Sequence, residues 1–431
     1  MKKNIIWSFV ILIFFCIIFF AKKANCGGAS VNKSPSFYSA FEVLEDSKPI
    51  EAKVTDKKIN DSINTTEVKT EIVQTDSINI KLFGAKGDGI SDDWPIIQKA
   101  IDKIANNGGG VVYFPAGNYI IKDKTVLIWG KNVKLIGQNP SNTTFTKKGS
   151  AGWWGENLSV CGKSKGGKYY GAFGNRSYNS FVIYQGRQIP AQNIQIEKIT
   201  FTTKNSDISK LANNVSVFNS DNVHFRNCNF INAPQSNVAV INNTLKSKNG
   251  LVEFENCKFS NSGAHNFRAI SYNQGDIIGN RVVLDNCKFL GVKGHDVLTK
   301  EIKGKAVNIW YRSIADSRGR TSLSVVNCII DNSGEIYGNA NIDGLNIKGC
   351  DISSRVTLNS NSALGKNANV VIEGNRFLMS GSTQLKSTGA SFLNVSNINN
   401  LHLKNNQFPN KNGINNVQNA NLKNVTNLMI N

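Results

Sequence analysis

Five residues in the middle of the chain have side chains and spacing suited to proton chemistry: His265, Arg268, His295, Asp296 and Lys300. Counting six residues beyond Phe230, Phe259 and Phe289 reaches Ser236, His265 and His295, and counting seven reaches Asn237, Asn266 and Asp296. Two of only four histidines thus share one offset from a recurring Phe. In the alternation of an extended strand, Val238, Phe267 and Val297 point inward, which turns Asn266, Arg268, Asp296 and Lys300 outward on one surface. Arg and Lys can neutralise a sugar carboxylate and so acidify the neighbouring ring C–H, while His or Lys removes the proton. On this reading His265, Arg268, His295, Asp296 and Lys300 are the candidate catalytic residues. The alternative is a set of solvated polar residues beside a turn, with Asp296 pairing Lys300.

Two further stretches suit an acidic sugar polymer. Residues 139–190 form a long insertion that carries Trp153, Trp154, Tyr169 and Tyr170 together with seven Lys or Arg against a single acid, Glu156. Aromatic planes stack on sugar rings and cations suit acidic groups, so these four aromatics and Arg312 are the candidate substrate-binding residues. A self-packed surface loop explains the same composition. Arg312 belongs to a second basic stretch with Lys300, Lys303, Lys305, Arg318 and Arg320, read as a looped-out excursion from an enlarged coil between Cys287 and Cys328.

The elements that must position these residues are repeats. The phrases ending in Cys228-Asn-Phe230, Cys257-Lys-Phe259 and Cys287-Lys-Phe289 recur at intervals of 29 and 30 residues, and continue irregularly at Cys328, Cys350, Asn375 and Asn406. Alternating apolar residues within a phrase indicate a strand, and a fixed period stacks each strand on its equivalent in the next coil. One coil cannot bury its own apolar face, whereas a stack can. The recurring Cys and Asn should form a ladder inside a turn. Stacked strands lie about 4.8 Å apart, beyond comfortable disulfide geometry, so free buried thiols are expected and no metal site.

The folded part opens at Ile80. Apolar residues at 97, 100, 101 and 104 mark one face of a helix over 94–106, with Asp92 or Asp93 accepting N–H bonds at its start, Pro95 in its first turn and Asn107-Gly108-Gly109-Gly110 ending it. The motif G-A-K-G-D-G-I-S-D-D (Gly84–Asp93), followed by that helix and by G-G-G-V-V-Y-F-P-A-G-N-Y (Gly108–Tyr119), resembles the opening of the pectate lyase superfamily, in its rhamnogalacturonase-like and epimerase-like members. The resemblance implies an all-β, single-stranded right-handed parallel β-helix with a short N-terminal capping helix. It further implies action on a polysaccharide. Asn341-Ile342-Asp343-Gly344 is similar to the N-T-D-G of polygalacturonase-type hydrolases, but no paired Asp, G-H-G or R-I-K follows it. No cluster of outward carboxylates suggests a calcium-dependent lyase.

The chain has 431 residues and a formal net charge of +20, which calls for an acidic partner. Lys2 and Lys3 precede an apolar run from Ile5 to Phe20, the layout of an export signal, so the protein is expected to be secreted or held in the cell envelope or periplasm, and nucleic acid is not expected as a partner. An uncleaved anchor or lipid at Cys26 would attach it to a membrane through its N-terminus only. The expected organisation is a signal peptide or anchor over 1–26, a flexible linker over 27–76 and the β-helix over 77–431 with the insertion at 139–190. The expected function is a lyase or epimerase acting on a uronate-containing polysaccharide, without a cofactor and as a monomer. Its rivals are a non-catalytic polysaccharide-binding surface protein and a glycoside hydrolase with atypical acids.

Overall fold

A strand of alternating apolar residues buries one face, and a chain that repeats such strands every coil has only its neighbouring coils to bury them against. The computed structural model describes residues 76–430, except 123, 149–157, 161–162, 165–187, 190, 204–212, 218–219, 242–249, 272–280, 295–305, 314–321, 341, 343, 361–368, 379–390 and 410–419. Among the described residues the chain forms three parallel sheets of 12, 10 and 10 strands, termed A, B and C, and one two-stranded antiparallel pair. Each coil visits A, B and C in turn. One full coil runs through Leu251–Glu255 (A), Lys258–Ser262 (B) and His265–Ser271 (C), and the next begins at Arg281–Asp285 (A). The architecture is the expected parallel β-helix.

Identical positions stack without slippage through most of its length. Val223 pairs with Val252, then Val282 and Leu323, and Phe230 with Phe259, then Phe289 and Ile330. The inward phenylalanines form ring stacks along the axis, with Phe225 4.6 Å from Phe254 and Phe259 4.7 Å from Phe289. Each is fully buried. Such offset-free columns arise because a parallel rung spacing of about 4.8 Å places like residues directly over like.

The corner between sheets A and B explains the repeated Asn-Cys. Asn227, Asn256, Asn286 and Asn327 each hold a positive φ of 50–54°, and Gly349, Gly374 and Asn405 take the same place in later coils. Asn and Gly are the residues that adopt this left-handed conformation at least cost, and one such residue bends the chain from one sheet to the next. The following Cys turns inward. Cys228, Cys257, Cys287, Cys328 and Cys350 are buried free thiols, and each S–H points at a backbone carbonyl one coil earlier, those of Ile196, Phe225, Phe254, Leu284 and Val325. Asn375 and Asn406 donate from Nδ2 to the equivalent carbonyls of Ile347 and Ile372 at 2.9 and 2.7 Å. Burial pushes the Cys257 and Cys328 thiols well above their ordinary pKa.

Helix Trp94–Asn106 closes the first coil with Ile97, Ala100, Ile101 and Ile104 fully buried. Gln98 takes the role of a strand partner, its amide bonding both the N–H and the C=O of Leu127 in the first strand of sheet C. The two acids before the helix divide their work differently from a simple cap. Asp92 accepts from the N–H groups of Trp94 and Lys122, while the buried Asp93 turns back to accept from Lys86 and Gly87 at 2.7 and 3.1 Å. Asp93 therefore ties the G-A-K-G turn to the helix. Trp94 donates its indole N–H to Thr125 O and lies 4.3 Å beneath the Lys124 ammonium.

Candidate functional site

The corner between sheets B and C is braced by a second ladder, made of asparagine. Asn214 donates to Asn237, Asn237 to Asn266 and Asn266 to Asn308, at 2.8, 2.9 and 2.8 Å. Asn308 in turn donates to the Asp331 carboxylate at 3.2 Å. Each amide also gives its other N–H to a main-chain carbonyl, of Ile231, Ser260, Leu290 and Gly334 respectively. The chain of amides thus ends on an anion, which orients every dipole the same way. It fixes the strands of sheet C at the point where their outward residues begin.

Along those strands Val238, Phe267, Ile309, Ile336 and Val356 face the core, so the residues alternating with them point outward. Val307, two before Ile309, also stands on the outer side, in a cluster with Ile270, Trp310 and Tyr337 apart from the core, and His265 lies against the same Trp310. One column contains Ser236, His265, Val307 and Glu335. The next contains Ala239, Arg268, Trp310, Tyr337 and Thr357, and the third Ile270, Arg312, Asn339 and Asn359. His265 shares a 3.1 Å hydrogen bond with the Ser236 hydroxyl through Nδ1, and its ring lies 5.1 Å from Trp310. The Trp310 indole N–H is held by Asn339 at 2.9 Å. Arg268 donates to Asn213 at 3.4 Å, and Thr357 donates to the Glu335 carboxylate at 2.6 Å.

The structure brings His265, Arg268 and Arg312 onto one face and corrects the expected company of His265. Its rung neighbour is Val307, and the rung neighbour of Arg268 is Trp310. The strand that pairs with His265–Ser271 in sheet C is Val307–Ser313, and Val307 fills the rung position beside His265 at which His295 was expected. His295, Asp296 and Lys300 lie outside the described residues. Arg312 belongs to the sheet itself and not to a looped-out excursion. The missed signal was the ladder asparagine: Asn308-Ile-Trp-Tyr-Arg matches Asn266-Phe-Arg-Ala-Ile far better than the segment from Asp296 does. Trp153, Trp154, Tyr169 and Tyr170 also lie outside the described residues, as do the N-terminal segment and the linker.

Exposure changes along this face. His265 and Trp310 are fully buried and Arg268 is 4% exposed, whereas Arg312, Glu335 and Thr357 are half-buried and Asn359 is exposed. A buried guanidinium and a buried imidazole beside an aromatic ring are an unusual use of an outward face, since buried charge is costly unless held. Chemically the set offers a base, guanidinium groups for a carboxylate and an aromatic wall. Among the described residues no three His, Cys, Asp or Glu are grouped to hold a metal ion, and no helix is long and apolar enough to cross a membrane.

Comparison with known proteins places the chain among relatives. Plasmin and fibronectin-binding protein A of Streptococcus pneumoniae is 32% identical over 142 residues, 27% of this chain and 19% of that protein. Alginate lyase 7 of Azotobacter vinelandii is 42% identical over 72 residues, 16% of this chain and 8% of that protein. The alginate lyase structure from Paenibacillus sp. str. FPU-7 aligns over 77% of this chain and 96% of its own, with a TM-score of 0.46 and 10% identity. The chain spans less than a fifth of the length of the curated relatives named here. The model of the family described as rhamnogalacturonase A/epimerase, pectate lyase-like, matches residues 77–310, more than half of the chain, and the chain belongs to that family.

Proposed function

We propose that the protein acts on a uronate-containing polysaccharide by β-elimination or by the related C5 epimerisation, along the outer face of sheet C. The observation that carries the reading is the gathering of His265, Arg268, Trp310 and Arg312 on adjacent rungs of one face. Relatives named as an alginate lyase and as mannuronan C5-epimerases support the choice of substrate class. In the elimination, a guanidinium neutralises the uronate carboxylate, a base removes the C5 proton, the C4–C5 double bond forms and the glycosidic C4–O bond breaks, its oxygen taking a proton. In epimerisation the proton returns to C5 from the opposite face and no bond to oxygen breaks. Arg312, half-buried, meets the polymer first, and His265 with Arg268 acts from beneath it. The same reading makes the protein an exported monomer, with residues 1–26 as signal or anchor, 27–76 as linker and 77–431 as the β-helix. His295, Asp296 and Lys300 remain proposed contributors from the neighbouring connection, and Trp153, Trp154, Tyr169 and Tyr170 proposed sugar-stacking residues.

A second reading is favoured by the burial of His265 and Arg268: the face is a structural wall, and the protein binds polysaccharide without turning it over. One experiment separates the two. The full chain is incubated with alginate and pectic polymers while ultraviolet absorbance of unsaturated uronates, reducing ends and the proton spectrum of the polymer are followed. Absorbance rising with reducing ends means a lyase, and exchange of C5 protons with inversion and no absorbance means an epimerase. No change in any of the three, with salt-sensitive retention on a polymer column, means a binding protein.

A further inference from the structure

Where the outer face of sheet C opens to solvent, its first column continues beyond Glu335 to Arg355. The Ile336 N–H donates to the Arg355 carbonyl at 2.9 Å, which fixes Arg355 as the rung after Glu335. Val356 and Leu358 face the core, so alternation turns Arg355, Thr357 and Asn359 outward. A Glu and an Arg on adjacent rungs ordinarily pair. Here no ion pair joins them: the Glu335 carboxylate takes the Thr357 hydroxyl at 2.6 Å, and the shielded Nε–H of Arg355 meets no acceptor among the described residues. A guanidinium edge whose donor is removed from water and left without an acceptor is costly, and a bidentate oxyanion is the group that fits it.

We infer that Arg355, Glu335 and Thr357 form a binding subsite for one uronate unit, in which Arg355 takes the sugar carboxylate and Glu335 accepts from the sugar hydroxyls. The inference rests on the reading that this face takes an acidic polysaccharide, and it adds a contact three rungs, on the order of 14 Å, from the rung of Arg268. The carboxylate of Glu335 selects against a bare anion. Acetate presents no hydroxyl hydrogen to it and meets its negative charge, whereas a uronate presents both a carboxylate and neighbouring hydroxyls.

The test uses the full chain labelled with nitrogen-15 at arginine, the Nε–H resonance of Arg355 being identified by its loss in Arg355→Lys. Sodium glucuronate is expected to shift that resonance saturably, acetate more weakly and glucose not at all, with Glu335→Gln removing the preference for glucuronate over acetate. In turnover of alginate, Arg355→Gln is expected to raise KM about tenfold and leave kcat nearly unchanged, the signature of lost uniform binding. An Arg355 resonance that ignores glucuronate overturns the subsite even where alginate is cleaved. A resonance that responds while no polymer is altered keeps the subsite and removes the catalytic reading, so the two fail separately.

Discussion

Asp88, at the start of strand Asp88–Asp92, and Asp93, just after its end, respond to acid in opposite senses. The N–H groups of Ser91 and Ile90, with the Ser91 hydroxyl, hold the Asp88 carboxyl down to about 2, so its contribution is complete above the ordinary value of 3.8 and is lost as pH falls toward about 2. Burial pushes the Asp93 carboxyl up despite the N–H bonds of Lys86 and Gly87, so its contribution is largest below 3.8 and is lost as pH rises through its folded value. Replacing Asp88 by Asn should therefore flatten the loss of thermal stability on acidification, and Asp93→Asn should steepen it. Thermal unfolding of the three proteins between pH 2 and pH 5 checks both signs. At the proposed catalytic face, His265→Gln and Arg268→Gln should each lower the rate of absorbance growth on alginate by about 100-fold or more if they act in proton transfer and charge neutralisation. Unchanged rates with unchanged unfolding midpoints would remove them from the mechanism.

The two ladders make different demands on single elements. In the asparagine ladder each amide both donates and accepts, so Asn266→Leu strands the Asn237 donor and the Leu290 carbonyl together. A loss of about 2–4 kcal/mol is expected, read by chemical denaturation, with Asn266→Asp worse than a neutral replacement of similar shape. The thiol ladder is more forgiving, because Asn375 and Asn406 already stand in its column and reach the same carbonyls. Cys287→Asn should leave the denaturation midpoint nearly unchanged, and the five ladder thiols should react with a thiol reagent only on unfolding. These elements also mark what was readable beforehand. The A–B corner keeps the same short form in each coil because an Asn in the left-handed conformation and an inward Cys leave no room for insertion within it, so Cys228, Cys257 and Cys287 announce it. Sheet C follows connections of variable length, so counting from Phe289 led to His295 when the rung lies at Val307. Only the ladder asparagine keeps register there, and it is a common residue in this chain. The burial of Arg268 was equally invisible, since alternation reports the face of a strand and not what covers it.

At the scale of the whole molecule, a solenoid has no single core, and each rung is held by its two neighbours. Stability should then follow local burial along the axis. Central rungs such as Leu251–Glu255 and Arg281–Asp285 bury Val252, Phe254, Val282 and Leu284 completely. Strands Ala420–Val425 and Leu428–Ile430 have no buried residue, and Leu428, Met429 and Ile430 are 38%, 50% and 37% exposed. Their backbone bonds run to one neighbour on one side, through Leu393–Ile398 and Asn400–Lys404. Opening them exposes little additional apolar surface, whereas opening a central rung breaks two interfaces and uncovers stacked phenylalanines. Native-state hydrogen exchange should therefore show the amides of 420–430 exchanging through local opening, insensitive to low denaturant, and those of 252–255 and 282–285 exchanging only through large openings whose cost falls steeply with denaturant. Equal protection at both places would mean that the chain unfolds as one cooperative block, and the nearest-neighbour picture of its rungs would have to be abandoned.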